Sequence, residues 1–175
     1  QTDNAKPVEM IKKKLAGNQM IIAYMRKVKS LKSYELKPMI TAKVHAKIFK
    51  PIAKVSLTYN KRDFDFAYEV IRREENWTSE LLTRIDLWKD FFDNFVIGDS
   101  GFTQLPQLVF ICEDDKHMAE VFKTLVINKV QIDKIRFYYT TDTKQNEDSL
   151  ENSLYEFVEE DGKYKIKNIN TKILK

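Results

Sequence analysis

Two carboxylates that stand four residues apart, Asp65 and Glu69, are the strongest candidates for chemistry in this 175-residue chain. They lie in the stretch Asp63–Arg72, where residues alternate with the period of a β-strand that has two different faces. One face carries both acids, and Glu69, near the end of the strand, is the best candidate for the centre of a site. An Asp–Glu pair on a strand is, however, more often a solvated face. The opposite, apolar face consists of Phe64, Phe66, Tyr68 and Val70.

The elements around this strand are predicted from their periodicity. Alternation over residues 44–49 and 53–59 indicates two earlier strands, and Asn60–Asp63 is a short connection typical of an antiparallel hairpin. Large apolar residues three or four positions apart then predict a long helix over residues 76–95. Either Asn76 or Thr78 is a suitable cap for it. The apolar stripe of this helix consists of Trp77, Leu81, Ile85, Trp88, Phe92 and Phe95.

A strand–helix–strand unit is predicted next. The apolar run Leu108–Cys112 is typical of a buried central strand. A helix follows over residues 118–126, capped by Asp114 or Asp115, and residues 135–139 form another strand. A crossover of this length predicts that the two strands are parallel neighbours.

The two ends of the chain complete a single predicted globular domain over residues 8–175. Residues 1–7 are expected to be a flexible leader, and residues 8–33 to be helical with a break at Gly17–Asn18. Residues 140–151 are expected to be a loop, and Asp161–Gly162 the turn of a terminal hairpin. The expected divisions are a basic helical segment (8–39), a core (40–140), and the loop with the hairpin (141–175).

Charge is distributed very unevenly along the chain. Residues 1–62 hold 15 Lys and Arg against three acids, and residues 63–175 hold 15 against 23. The basic end predicts an anionic partner, with DNA the leading case. Alternatively, the lysines only solvate the surface or pair with the acidic half. The residues predicted to contact DNA are Lys12, Lys13, Lys14, Arg26, Lys27, Lys29, Lys54, Arg72 and Arg73, although Arg72 and Arg73 are also suited to a salt-bridge cluster with Glu74 and Glu75.

Other features narrow the class of protein. Cys112 has no second cysteine to pair with, so a small buried thiol in a reducing cytoplasm is expected. No run is apolar enough for a membrane span or a signal peptide, so no membrane partner is expected. His45 and His117 are each expected to be surface or cap residues in preference to metal ligands.

Several segments resemble the replication-relaxation family of plasmids and conjugative elements, which has a restriction-endonuclease-like core of the PD-(D/E)XK type. They are Lys50–Leu57, Phe66–Arg73 and Pro106–Cys112, with the Trp/Leu/Ile/Phe helix between them, and the resemblance covers roughly residues 40–140. It implies an α/β (α+β) fold in which a central mixed sheet is flanked by helices. The implied order is α-β-β-β-α-β-α-β plus the terminal hairpin. A winged-helix DNA-binding region is usual at the N-terminus of that family.

The same resemblance implies that a nuclease site is degenerate here. A working nuclease of this type holds a divalent metal with an Asp just after a Pro, a Glu in the next strand, and a Lys two residues beyond that Glu. Mg²⁺ prefers oxygen ligands, and the Lys orients or activates water. Pro51 and Glu69 match this pattern, but Ile52 and Ile71 stand where the Asp and the Lys would be.

Three functions therefore remain open from the sequence. The favoured one is a nonenzymatic accessory protein of a mobile element, which acts in replication, relaxation or transfer by binding DNA, a relaxase or a replication protein, without a cofactor. The second is a Mg²⁺-dependent nuclease that uses Glu69 with a displaced carboxylate, Asp65 or Asp63. The third is a protein-interaction module that uses the acidic C-terminal body and the polar loop.

Overall fold

The computed structural model describes residues 8–130, 136–147 and 149–175. Its α-helices are α1 (Val8–Lys27), α2 (Trp77–Asp93), α3 (Asp115–Ile127) and the short α4 (Asp142–Gln145). Its strands are β1 (Leu31–Leu36), β2 (Ile40–Ala42), β3 (Lys47–Phe49), β4 (Ala53–Tyr59), β5 (Arg62–Val70), β6 (Gln107–Cys112), β7 (Phe137–Thr141), β8 (Leu154–Glu160) and β9 (Lys163–Ile169). The predicted leader, residues 1–7, lies outside the described residues, as do residues 131–135.

A mixed sheet forms the centre of the molecule. Within the described residues it has seven strands in the order β1-β4-β5-β6-β7-β8-β9. Strands β1, β4 and β5 are antiparallel to one another, β5, β6 and β7 are parallel, and β8 and β9 return antiparallel. The expectation of an α+β fold with a mixed sheet between helices is therefore confirmed.

Each face of the sheet carries its own core. On one face α1 packs against the aromatic side of β5, and on the other α2 and α3 pack with the small β2–β3 hairpin. The residues of β5 belong alternately to these two cores, since Phe66 and Tyr68 face α1 while Ala67 faces α2. The alternation read from the sequence thus corresponds to two buried faces, neither of which is solvated.

The prediction for the first strand of the sheet was wrong. The expected strand over residues 44–49 is a strand only over Lys47–Phe49, and it belongs to the separate β2–β3 hairpin. The strand that lies beside β4 at this edge of the main sheet is β1. Its first residues fall inside the range 8–33 that was predicted to be helical. Its burial is low along its whole length, so its sequence carries little alternation for a pattern to detect.

The predicted break at Gly17–Asn18 is also wrong, because α1 is continuous from Val8 to Lys27. Gly17 is buried in the helix at the point where α1 crosses Ile52, and a Cβ at this position would overlap the Ile52 side chain. The glycine therefore permits close approach between helix and sheet, and it does not mark a break.

Other predictions from local sequence are confirmed. Helix α2 occupies the predicted region, although Asn76 at its N-cap makes no side-chain capping bond. The carboxylate of Asp114 caps α3 by accepting from the His117 backbone N–H. The predicted β4–β5 and β8–β9 hairpins both form, and their turns have positive φ at both central residues, as a type I′ connection requires.

The predicted loop over residues 140–151 is in part regular structure. Strand β7 extends into it to Thr141, α4 follows directly, and a 3₁₀ turn covers Leu150–Asn152. Across the ranges that the structure describes, none of the helices combines the length and apolarity needed to cross a bilayer.

The contact at Gly17 predicts the effect of filling it. We expect Gly17→Ala to lower the free energy of unfolding by about 1–2 kcal/mol, because overpacking costs about 1–3 kcal/mol and outweighs the helix-propensity gain of at most about 1 kcal/mol. Urea unfolding measures the change. In an Ile52→Ala background the same substitution should stabilise the protein, and Asn18→Ala, on the exposed side of α1, is the matched control. Equal destabilisation by Gly17→Ala in both backgrounds would contradict the Ile52 contact.

Candidate functional site

A cleft of about 630 Å³ opens where β5 leaves the sheet, between α1 and α2. Ile52, Glu69 and Ile71 all line it, so the three positions that the nuclease pattern singles out converge at one place. The cleft is also lined by basic side chains from separate elements and by a second carboxylate, Glu80 of α2. The basic residues are Lys13 of α1, Lys37 after β1, Lys50 before β4, Arg72 after β5 and Arg84 of α2.

The fold brings these residues together through backbone pairing beside β5. The Ile52 N–H donates to the Tyr68 carbonyl (2.9 Å), which places Ile52 next to Glu69. The Lys37 N–H donates to the Ile52 carbonyl (3.0 Å), so the end of β1 is tied to the same edge. The Ile71 N–H donates to the Ile111 carbonyl (3.0 Å), which continues the parallel pairing with β6 beyond the last residue of β5.

Glu69 is a buried carboxylate whose surroundings come from α2. The Trp88 Nε1–H donates to Glu69 Oε1 at 2.8 Å, and Arg84 Nε lies 3.4 Å from the same oxygen. Burial raises the pKa of Glu69 above its usual value of 4.5, and the opposing effects of Arg84, Trp88 and Lys13 do not cancel that rise. Trp88 is itself fully buried and is stacked on Phe92. This environment favours the protonated form of the Glu69 carboxyl group, whereas a carboxylate binds a metal in its ionised form.

The donor set of the cleft does not fit a divalent metal. Mg²⁺ takes several oxygen ligands, whereas Ile52 and Ile71 present hydrocarbon to the cleft. Oε1 of Glu69 is engaged by an indole and a guanidinium, and Glu80, the other carboxylate of the cleft, pairs with Lys13. In the part of the chain that the structure describes, no group of three or more His, Cys, Asp or Glu side chains is close enough to hold a metal ion. We therefore derive no metal-dependent step from this cleft.

Asp65, the other candidate ligand, is held by hydrogen bonds within the protein. It is buried, and its oxygens accept hydrogen bonds from the Ser56 hydroxyl, from the Thr103 N–H and hydroxyl (2.8 Å each) and from the Gln104 N–H (3.3 Å). It shares a face with Glu69 but lies four residues away, or about 13 Å at the usual strand rise, and it does not line the cleft. The other proposed substitute, Asp63, pairs with Lys32 at 2.6 Å outside the cleft.

Three of the predicted DNA-contacting residues are engaged within the protein. Lys54 is buried, with its ammonium group on the Ser100 and Gly101 carbonyls and 4.7 Å from the centre of the Phe102 ring. Arg72 is buried and bonds Asp142 at 2.8 Å. Arg73 forms ion pairs with three carboxylates, so a salt-bridge cluster exists, but its acids are not the predicted Glu74 and Glu75. The three acids are Glu113, Asp114 and Glu120.

The remaining predicted contacts all lie on or just after α1. Lys13 reaches the cleft and pairs with Glu74 at 2.7 Å, while the ammonium group of Lys27 bonds the Glu147 carbonyl. The other four have exposed side chains that form no ion pair among the residues described. They are Lys12, Lys14, Arg26 and Lys29.

Sequence reasoning missed the other cations of the cleft. Lys37 and Lys50 are exposed residues at the ends of short strands, and their approach to Glu69 follows only from strand pairing. Arg84 had a detectable signal, because it lies on α2 one turn before Trp88 and therefore on the same side of the helix.

The histidines and the cysteine form no further site. The His45 ring Nδ1 lies 2.8 Å from Asp90, which also accepts the Val44 and His45 backbone N–H groups. His117 is buried in the first turn of α3 with Trp77 edge-on at 5.1 Å. Cys112 is buried as expected, and that burial raises the pKa of its thiol.

Comparisons with protein-family models, with curated proteins and with solved structures find no match to this chain.

The buried state of Glu69 predicts a pH dependence. A carboxyl group whose pKa is raised on folding contributes most stability below its unfolded pKa, and that contribution is lost as the pH rises through the folded pKa. We therefore expect the wild-type stability to fall relative to Glu69→Gln as the pH rises from below 4.5 toward neutrality. Urea unfolding across that range measures the difference. Glu80→Gln, an exposed change on the same cleft, is the control, and a difference that is constant with pH would contradict a raised pKa at Glu69.

The structural role of Asp65 predicts a large cost for its removal. We expect Asp65→Ala to lower the free energy of unfolding by about 3 kcal/mol, because the donors on Ser56, Thr103 and Gln104 all lose one buried acceptor. Asp63→Ala, two residues away, should cost less than about 1 kcal/mol, since its ion pair is partly exposed. Equal losses in the two variants, measured by urea unfolding, would contradict the structural role.

Proposed function

We propose that this protein binds DNA without cleaving it, as a nonenzymatic accessory factor in the replication, relaxation or transfer of a mobile element. The observation that carries the proposal is the cleft at the end of β5, where five basic side chains outnumber the two carboxylates of Glu69 and Glu80. The basic residues are Lys13, Lys37, Lys50, Arg72 and Arg84. A cleft with excess positive charge attracts phosphate, and its lining supplies no metal-ligand set for hydrolysis.

A restriction-endonuclease-like ancestry is part of the same proposal. It is supported by the path of the chain through the main sheet, where α1 is followed by the antiparallel strands β1, β4 and β5, then by α2 and the parallel strand β6. The β2–β3 hairpin is an insertion within that path. In this interpretation the cleft is the former active site, in which Glu69 is retained while Ile52 and Ile71 replace the other catalytic positions.

The charges of the cleft are available for a ligand to different degrees. Lys37 and Lys50 are exposed and form no ion pair in the portion described. Arg84 is shared between Glu69 and the face of Phe49, whose ring centre lies 5.3 Å from the guanidinium carbon. Lys13 is held by Glu74 and Glu80. We therefore assign the main phosphate contacts to Lys37 and Lys50, with Arg84 next.

The contacts in this cleft predict binding that depends on salt and little on sequence. Lysine contacts to phosphate position a duplex, whereas base-specific recognition needs side chains in a groove. Partners of the relaxase or replication-protein class fit the same proposal, because such proteins work on the same DNA.

This proposal predicts a change in the salt dependence of duplex binding. For Lys37→Gln/Lys50→Gln we expect the slope of log affinity against log salt to decrease in magnitude by about 0.9 for each phosphate that the variant no longer neutralises. Fluorescence anisotropy with a labelled duplex over a salt series measures the slope. The control is Lys123→Gln/Lys163→Gln, which removes the same charge from α3 and β9, outside the cleft.

Three results would overturn the proposal. The first is an absence of duplex binding at low salt, and the second is binding that the cleft variant leaves unchanged. The third is cleavage of plasmid DNA in the presence of Mg²⁺ or Mn²⁺ that Glu69→Ala abolishes, because that result would establish a metal-dependent nuclease.

A further inference from the structure

Helix α1 is apolar on two opposite sides. The side that faces the sheet is buried and includes Met20 and Tyr24, both with no exposed surface. The side that faces away carries five large apolar residues whose exposed fractions lie between 52% and 59%. The five apolar residues are Val8, Ile11, Leu15, Ile22 and Met25. Asn18 lies in the same row, and we call the six residues together the outer stripe.

The outer stripe has the spacing of a coiled-coil seam. Its positions, including Asn18, follow one another at intervals of three, four, three, four and three residues. That is the alternation of the a and d positions in a heptad repeat. The stripe runs about 26 Å along the helix at the usual rise per residue, so it presents one continuous seam.

Within the residues that the structure describes, nothing in the fold requires the outer stripe. A helix that packs on a sheet needs one apolar face, and the inner side of α1 already provides it. Exposed apolar residues that occur singly are ordinary, whereas a continuous row of them marks a surface that another molecule covers.

The charges beside the outer stripe indicate the chemistry of that molecule. Lys12 and Arg26 occupy the positions that flank the seam on one side, and Lys14 flanks it on the other. Each forms no ion pair with a carboxylate in the ranges that the structure covers. In coiled coils these flanking positions select the partner through opposite charges.

We propose that the outer stripe is the docking site for an acidic amphipathic helix of another protein. The partner helix places its own apolar seam against Val8–Met25 and its Glu or Asp side chains against Lys12, Lys14 and Arg26. Asn18, a polar residue inside the seam, sets the register. The cleft beside Glu69 is not involved.

Two other occupants fit the stripe less well. A second copy of this chain would bring its own Lys12, Lys14 and Arg26 against the same residues, and like charges across a seam destabilise pairing. Helices that lie on membranes have a wide apolar face, commonly with Trp or Phe. The outer stripe is one seam wide, contains Asn18 and has no aromatic residue.

The test uses two designed peptides of about three heptads and the whole chain. Both peptides carry Leu at a and d, and they differ only in having Glu or Lys at e and g. We expect the Glu peptide to bind at least tenfold more tightly than the Lys peptide and than a scrambled Glu peptide. Calorimetric titration at low salt measures the affinities.

Variants of α1 separate the contributions of shape and charge. Leu15→Gln/Ile22→Gln keeps every charge and should weaken the Glu peptide at least tenfold, with an unchanged urea midpoint because both side chains are exposed. Lys12→Glu/Lys14→Glu/Arg26→Glu should reverse the preference between the peptides.

Three outcomes would overturn the proposal. They are equal binding of the two peptides, self-association of the wild-type chain that Leu15→Gln/Ile22→Gln abolishes in sedimentation, and tighter binding to phosphatidylserine vesicles than to the Glu peptide. The second would make a second copy the occupant, and the third would make it a lipid surface.

Discussion

The burial of β5 on both faces is the constraint on which the rest of the structure depends. From Asp65 to Val70 every residue of this strand is buried, and yet three of the six carry polar side chains. A buried polar group is tolerated only where it finds partners inside the protein. Each of the three finds them on a different element, and those bonds fix where the surrounding elements lie.

The three polar side chains connect β5 to three parts of the fold. Asp65 connects β5 to β4 and to the loop at Thr103, because its oxygens accept hydrogen bonds from the Ser56 hydroxyl and from the Thr103 N–H. Tyr68 shares a hydrogen bond with Tyr24 and so joins the strand to α1, and burial raises the pKa of both phenols. Glu69 accepts from Trp88 and joins the strand to α2. The bonds that hold the fold together therefore engage both oxygens of Asp65 and Oε1 of Glu69.

Much of this fold followed from periodicity, and what did not follow depended on partners distant in sequence. Elements α2, β6 and α3 were predicted because each has one strong pattern and a clear start or end. Alternation correctly placed Asp65 and Glu69 on one face, but it carries no information about what that face meets. The loop at Thr103 and the position of Trp88 decided that, and both are more than fifteen residues away.

Helix α1 shows a second limit of sequence reasoning. Its apolar residues lie on two opposite sides of the helix. In the sequence the two sets overlap, and with Gly17 between them the pattern is that of a broken helix. Ile11, Leu15, Ile22 and Met25 are exposed, while Gly17 and Tyr24 form the contact with the sheet. A pattern that reports only apolarity does not distinguish burial in the same chain from burial against a partner.

The uneven charge of the chain is explained by where the cations lie. Some pair with the acidic half, as Lys32 does with Asp63 and Lys43 with Asp99, at 2.6 Å each. Among the cations without such a pair in the described structure, Lys37 and Lys50 lie at the cleft. Others lie beside the outer stripe on α1, and exposed residues such as Lys47 and Arg62 belong to neither group. Because the inner face of α1 is fixed to β5 through Tyr24, the helix holds these two basic surfaces at a constant separation. The proposed phosphate ligand of the cleft and the proposed partner helix of the outer stripe therefore concern separate surfaces of the molecule.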